Sequence, residues 1–380
     1  MSDKSDNKSI FIITGEQSGD SNAALLIKDI IKSNPDTNIY GIGGNELESA
    51  GMKLLYNYRE VNFIGLYSVI TNLKGIKNIL NKCVEFVKSK SPDLVILVDF
   101  PSFNLKFAEE IKKFYKGKII YYISPQIWVW NTKRVEKIKK YIDRMLVIYP
   151  FEVDFYKSYG VDVDYVGNPL LIKIENYLKN HKRIKSGKKL ITLLPGSRDE
   201  EFRRNLISLE GAIEKLRQSF NPDIFLLLSP NIDYEKYKDI ITKNKIKIQK
   251  YSEEEKYNLI LNSDVVITKF GTSSTECAFL ETPFLTIYKA NLFNYYIAKL
   301  LVKVKYATLI NIIANKSIVQ ELIQNDLKTE NICNEIEKII NDDNYRENMI
   351  NEFKNIKKLL SEYPVKKTAV EIINEYLFSN

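Results

Sequence analysis

Ile10-Phe11-Ile12-Ile13-Thr14-Gly15-Glu16-Gln17-Ser18-Gly19-Asp20 joins an apolar, β-branched run to a glycine turn and then to a helical pattern through Ala23, Leu25, Leu26, Ile30 and Ile31. That succession reads as a strand, a tight turn and a helix N-terminus, which leaves backbone N–H groups free to meet a ligand. Glu16, Ser18 and Asp20 set its chemistry. Carboxylates repel phosphate oxygens, so the turn suits sugar hydroxyls or an amino group better than phosphate. A tight turn with a solvated Glu has the same pattern, and the rest of the chain must decide.

Outward from this turn, strand and helix patterns alternate. Strands are expected at Ile10–Thr14, Asn38–Ile42, Leu94–Val98, Lys118–Ile123, Met145–Ile148 and Tyr165–Val166. Such alternation predicts an α/β domain over 1–167 with a mostly parallel sheet wrapped by helices. From Asn168-Pro169 the pattern changes to an amphipathic stretch and then a basic, polar run to Lys189, read as an interdomain connection at 168–188. It restarts at 189–331 with strands at Lys189–Leu194, Ile224–Leu228, Ile246–Gln249, Val265–Thr268 and Phe284–Tyr288, and a helical tail follows over 332–380, broken near Pro364. Two doubly wound halves place ligands at the carboxyl ends of both sheets, in a cleft between the domains.

At 380 residues the chain is long enough for two such cores. No apolar run approaches the ~20 residues that a spanning helix requires. The polar N-terminus lacks a signal-peptide pattern, so a cytoplasmic protein is expected. Cys83, Cys277 and Cys333 are scattered and without CxxC spacing, which fits a reducing compartment. The net charge of +8 favours anionic partners: nucleic acid, acidic lipid headgroups or phosphorylated sugars. His181 is the one histidine and lies in a basic, polar stretch. A histidine triad or histidine-rich metal site has little room here, and a general base falls to Asp, Glu, Lys or Tyr.

Two turns of the second half are suited to anions. Leu193-Leu194-Pro195-Gly196-Ser197-Arg198 ends a strand and opens a helix containing Glu201; Ser197 is placed to cap that helix and Arg198 to meet phosphate oxygens. Phe270-Gly271-Thr272-Ser273-Ser274-Thr275-Glu276 follows the strand Val265–Thr268. Here glycine admits a close ligand, the hydroxyls cap and donate, the helix dipole favours diphosphate, and Glu276 lies within reach of ribose hydroxyls. Two ordinary capped helices would share these patterns.

In the first half, Asp99 ends the run Leu94-Val95-Ile96-Leu97-Val98 and precedes Pro101-Ser102-Phe103-Asn104, which begin a helix. A carboxylate at a strand's carboxyl end can deprotonate a hydroxyl nucleophile, or simply cap the next helix. Tyr122–Trp130 holds both tryptophans and is followed by Lys133, Arg134, Lys137, Lys139, Lys140 and Arg144. Interleaved aromatic and basic residues bind single-stranded nucleic acid, line a cleft for an anionic sugar, or present a solvated helix face. No RNA-binding motif accompanies the charge, so nucleic acid is set aside. Leu66–Val87 reads as an amphipathic helix, with Leu66, Val69, Ile70, Leu73, Ile76, Ile79 and Leu80 apolar and Lys74, Lys77, Lys82 and Lys88 polar. That suits a membrane surface and equally a helix packed on a sheet. Asp162-Val163-Asp164 imitates the metal-binding DxD of some glycosyltransferases but precedes a short strand rather than following a nucleotide-binding one.

Together these segments resemble the lipid-A-disaccharide synthases, inverting glycosyltransferases of the two-Rossmann-domain GT-B kind. The resemblance runs from Gly15 to about Gln324, in order: GEQSGD, IGGNELESAGM (Ile42–Met52), VDFPSFN (Val98–Asn104), YISPQIWVWNTKRVEKI (Tyr122–Ile138), YPFE (Tyr149–Glu152), LLPGSR with Glu201, GTSSTE, LINIIANK (Leu309–Lys316) and VQELIQ (Val319–Gln324). It implies transfer of a sugar from UDP-2,3-diacylglucosamine to the 6-hydroxyl of 2,3-diacylglucosamine 1-phosphate, giving a β-1,6-linked disaccharide phosphate and UDP. Asp99 matches the proposed general base. Ser197, Arg198, Gly271, Thr272, Ser273 and Glu276 match donor positions, and Asn311, Glu321 and Gln324 match the segment that closes the UDP site. Glu16, Ser18 and Asp20 match the turn at the cleft, with Asn104, Ser124 and Trp128 on the acceptor side.

The resemblance further implies no metal or other cofactor, since a helix N-terminus and basic side chains can offset charge on departing UDP. Acylated substrates imply peripheral docking at the cytoplasmic face of the inner membrane, which favours Leu66, Val69, Ile70, Leu73, Lys74 and Lys77 as a docking surface. A homodimer is admitted, with Ile332–Asn380 as its candidate surface. Three places depart from the family pattern: Asn168 for a histidine, which removes acid catalysis there; Gln320 for a proline; and Asn315-Lys316 for a Gly-Arg pair, which loses the guanidinium fork. The rival readings are another GT-B transferase or epimerase acting on UDP-N-acetylglucosamine, and a catalytically silent binding protein.

Overall fold

The apolar run that opens the chain becomes a central strand. β1 (Ser9–Thr14) lies between β2 (Asn38–Gly43) and β4 (Leu94–Val98), parallel to both. A parallel strand covered on both faces carries side chains into two cores, which is why β1 and β4 read as unbroken apolar runs. Phe11 and Ile13 enter one core, and Ile10 and Ile12 enter the other. The computed structural model describes residues 7–61, 73–130, 132–184, 187–291 and 304–378, with Tyr295, Tyr296, Lys299 and Val302 between the last two spans.

The chain divides into two compact units. The first runs to Pro169 and is rejoined by the tail from Leu360; the second begins at Leu170 and ends at Leu359. In the first, β3 (Lys53–Asn57), β5 (Lys118–Tyr122), β6 (Arg144–Val147) and β7 (Val163–Tyr165) complete a parallel sheet of order β3-β2-β1-β4-β5-β6-β7. In the second, β8 (Leu190–Leu194), β9 (Asp223–Leu228), β10 (Lys247–Lys250), β11 (Val265–Thr268), β12 (Phe284–Tyr288) and β13 (Glu321–Ile323) form a parallel sheet of order β10-β9-β8-β11-β12-β13. Each order reverses beside its first strand, between β1 and β4 and between β8 and β11, the switch points where such sheets bind ligands.

Several expectations change. β3 and β13 were not expected; both are short edge strands in their sheets. The stretch expected as connection is largely folded: the helix Pro169–Asn180 buries Leu171 and Ile174, and Lys173 pairs with Glu253 of the second unit. The C-terminal helix Ala369–Phe378 buries Ala369, Ile372, Ile373 and Leu377 in the first unit's core beside Ile10 and Ile12.

Of the expected docking helix, Leu66, Val69 and Ile70 lie outside the described residues. From Leu73 a helix runs to Lys90, with Lys74 and Lys77 exposed. Its face bearing Ile79, Leu80, Cys83 and Val87 is buried in the core, so this part packs on the sheet as an ordinary covering helix. Asp164 of the DxD decoy takes a bidentate guanidinium contact from Arg144, one arm at 2.6 Å.

Candidate active site

At the carboxyl end of β4 the backbone is strained. Asp99 and Phe100 both adopt the left-handed region, at φ 44° and 48°, and Ile123 after β5 does so at 62°. Such conformations persist only where the surroundings hold them, and they gather at functional sites. Buried Asn104 supplies the hold: its Nδ2 donates to the carbonyls of Asp99 at 2.7 Å and Val98 at 3.2 Å. The Tyr121 hydroxyl donates to the same Asp99 carbonyl. Gly15 completes the fit, since a Cβ there would stand 2.2 Å from the Phe100 ring. The turn after β1 and the turn after β4 are thus made for each other.

Asp99 itself is partly buried. Burial, and then the nearby Glu16 carboxylate, push its carboxyl up to about 7. A carboxylate there is a far better proton acceptor at neutral pH than an ordinary Asp. Glu16 in turn accepts the Ser18 hydroxyl at 2.9 Å. Asp20 has a different task. It is 2 % exposed and accepts the backbone N–H groups of Gly44 at 2.6 Å, Glu46 at 3.1 Å and Leu47 at 3.4 Å, capping the short helix Asn45–Ser49.

Ser124, expected on the acceptor side, is buried and hydrogen-bonded to Tyr156 at 2.8 Å. Trp128 is partly exposed; its indole N–H donates to Glu152 at 3.4 Å. Glu152 is buried behind it, pushed up to about 8 by that burial, and also accepts the N–H groups of Ile148 and Tyr149. Asn168 donates to the Ile148 carbonyl at 3.4 Å, which ties its turn to this cluster.

In the second unit the two anion turns lie at the ends of neighbouring strands β8 and β11. The Ser197 cap is not made. Arg198, extended at φ −107° and ψ 135°, occupies the flanking position of the helix Asp199–Phe220, and its side chain does not cap that helix. Arg198 is exposed and Ser197 partly so. At the second turn Ser274, not Thr272 or Ser273, closes the cap, exchanging bonds with Gly271 at 3.2 and 2.7 Å. Gly271 and Thr272 are exposed and Ser273 is partly so. Gly271 holds φ 127° with nothing within 4 Å of a would-be Cβ, so glycine serves the backbone there and leaves its surroundings open.

Glu276 is buried and pairs with Lys256, a partner the sequence did not suggest. Burial opposes charge on Lys256, but the adjoining carboxylate outweighs it and keeps the amine protonated. Asn311, Glu321 and Gln324 hydrogen-bond within the protein. Glu321 accepts from Ala307 N–H at 2.9 Å, Thr308 N–H at 2.8 Å, the Thr308 hydroxyl at 2.6 Å and Asn311 Nδ2 at 2.9 Å. Asn311 Oδ1 accepts from Ile318 and Val319, and Gln324 bonds both backbone groups of Ala290. Together they tie Ala290, Ala307, Thr308, Ile318 and Val319 to β13 and the helix Leu309–Ala314.

Sequence reading also missed Lys269 and Asn205. Lys269 pairs with Glu201 at 3.1 Å, joining the two anion turns. Asn205 donates to the Pro195 carbonyl at 2.7 Å and accepts the Lys289 N–H at 2.9 Å. Its signal was available: an Asn on the buried face of a helix, between Phe202 and Leu206. Among the described residues, no three His, Cys, Asp or Glu side chains gather to hold a metal, and no helix is long and apolar enough to cross a membrane.

A family model described as Lipid-A-disaccharide synthetase matches residues 10–373. The chain belongs to the lipid-A-disaccharide synthase family. Among its relatives, Lipid-A-disaccharide synthase 1 of Legionella pneumophila subsp. pneumophila (strain Philadelphia 1) is 37% identical over 93% of each chain. The Lipid-A-disaccharide synthase of Nitrosococcus oceani is 35% identical over 92% of each. Among solved structures, UDP-GlcNAc 2-epimerase from Neisseria meningitidis bound to UDP-GlcNAc aligns at TM-score 0.65 and 14% identity, covering 98% of this chain and 100% of that one. The calicheamicin glycosyltransferase CalG4 aligns at 0.60 and 12%, covering 98% of each. These likenesses carry the GT-B fold, while the synthase family rests on sequence.

Proposed function

We propose that this chain condenses UDP-2,3-diacylglucosamine with 2,3-diacylglucosamine 1-phosphate to the β-1,6-linked lipid A disaccharide 1-phosphate and UDP. The match to the synthase family over residues 10–373 carries the proposal. Asp99 takes the proton of the acceptor's 6-hydroxyl, helped by a carboxyl raised to about 7. The freed oxygen attacks the anomeric carbon from the face opposite UDP, the bond to UDP breaks, and the configuration inverts. The departing diphosphate's charge is met by the Gly271–Thr272 helix start and by Arg198, without a metal. Glu276 accepts ribose hydroxyls; burial raises its carboxyl, and the paired Lys256 opposes that rise.

Both substrates are acylated, so the enzyme works at the cytoplasmic face of the inner membrane, with Lys74 and Lys77 facing acidic headgroups. The homodimer belongs to the same proposal, with the C-terminal helices as its surface. The test is a mixed-micelle assay with both substrates and EDTA. Disaccharide phosphate with one UDP released per turnover is the expected result. UDP binding without product would sink the reading and point to a soluble UDP-sugar; EDTA-sensitive turnover would sink its metal-free part.

A further inference from the structure

The acceptor in this reading carries a phosphate monoester on the same sugar ring as its reacting hydroxyl. A cation is therefore needed about one ring away from the base. Arg134 stands in that neighbourhood. It opens the helix Arg134–Tyr141, and its Nη2 donates to the Ser102 hydroxyl at 2.8 Å. Ser102 lies three residues beyond Asp99, in the first turn of the helix Pro101–Ile111. The Tyr121 hydroxyl, which holds the Asp99 carbonyl, feels the charge of both Asp99 and Arg134. Arg134 is thus hydrogen-bonded to the first turn of the helix that Asp99 precedes.

Three neighbouring lysines of this basic segment have partners of their own. Lys137 bonds Glu109 at 3.0 Å, Lys139 approaches Glu136 at 3.6 Å, and Lys140 lies 5.3 Å over the Tyr141 ring. Arg134 is also partly buried, and burial lowers its pKa from the usual arginine value. A guanidinium already stripped of part of its water loses less on meeting an oxyanion, and its planar fork matches phosphate geometry. The neighbouring Ser102 hydroxyl can accept from Arg134 while donating to a phosphate oxygen.

We propose that Arg134, with the Ser102 hydroxyl, binds the acceptor's phosphate and so selects a phosphorylated acceptor and aligns its hydroxyl with Asp99. The proposal rests on the disaccharide-forming reading above. It is tested with the full chain in mixed micelles, comparing 2,3-diacylglucosamine 1-phosphate with its dephosphorylated counterpart as acceptors. Wild type should favour the phosphorylated acceptor in kcat/KM, and Arg134→Gln should reduce that preference roughly 30-fold, as expected for losing one partner of a charge-assisted contact. Arg134→Lys should restore part of it, and the donor's KM should not move. A folded Arg134→Gln protein with undiminished preference, or with equal losses on both acceptors, overturns the proposal. Should that variant fail to fold, Ser102→Ala decides, with a selective loss of several-fold expected and unchanged preference overturning. Wild type that makes no disaccharide from either acceptor overturns the underlying reading instead.

Discussion

Asp99 shows at residue scale how a site can be at odds with its fold. A carboxyl raised to about 7 in the folded chain, against 3.8 ordinarily, binds its proton more tightly folded than unfolded. Its contribution to stability is therefore full below the unfolded value and is lost as pH rises through about 7. Asp99→Asn removes the charge that burial penalises. It should abolish turnover, yet raise Tm by a few degrees at pH 8 and leave it unchanged at pH 4. An equal shift at both pH values would show that ionisation is not the cause. Glu16 adds to the same shift, so Glu16→Gln should move the acidic limb of kcat/KM to lower pH, though not to the ordinary Asp value, because burial remains. A stationary limb would separate Glu16 from the base. Sequence could single out Asp99 as a carboxylate at a strand's end, a base or a helix cap, but its left-handed backbone and its raised carboxyl are visible only in the structure. The capping work of Asp20 was not legible, since its partners Gly44–Leu47 lie more than twenty residues away.

Elements differ in how plainly their sequences announce them. β4, β11 and β12 are largely apolar runs whose bounds the sequence reading reproduces, because burial on both faces leaves room for few polar residues; Thr268 and Thr286 fit by donating to backbone carbonyls. β3 carries no fully buried residue and β13 has three residues, so neither sustains a pattern. What makes β13 matter is Glu321, whose carboxylate gathers the N–H groups of Ala307 and Thr308, the Thr308 hydroxyl and the Asn311 amide. Removing it strands several donors at the start of the helix Leu309–Ala314. Glu321→Ala should cost about 2–4 kcal/mol of stability, read by urea denaturation, with Glu321→Gln losing less. Weakened UDP binding at unchanged stability would instead make Glu321 a ligand contact. The family resemblance located this residue; its hydrogen bonds, invisible in sequence, give it a bracing task.

Across the whole molecule, chain order and domain membership part company at Leu360, where the tail rejoins the first unit. The sequence reading kept 332–380 together because amphipathic helices reveal which face is buried and say nothing of what covers it. Tyr165 fixes the return, its hydroxyl donating to the Leu360 carbonyl at 2.6 Å and its ring meeting Tyr363 edge-on at 5.0 Å. Beyond it, Ile372, Ile373 and Leu377 fill the core on the face of β1 that carries Ile10 and Ile12. Burial of three such side chains is worth about 5–9 kcal/mol as an upper bound, comparable with the whole stability of a typical domain. Deleting residues from Ala369 onward should therefore unfold or loosen the first unit while sparing the second. Hydrogen exchange would report it: amides of β1, β4 and β5 should lose protection by orders of magnitude, while those of β8 and β11 keep theirs. Equal loss in both sheets would mean that the two units fold as one, and unchanged protection in β1 would mean that the tail merely rests on a core already complete.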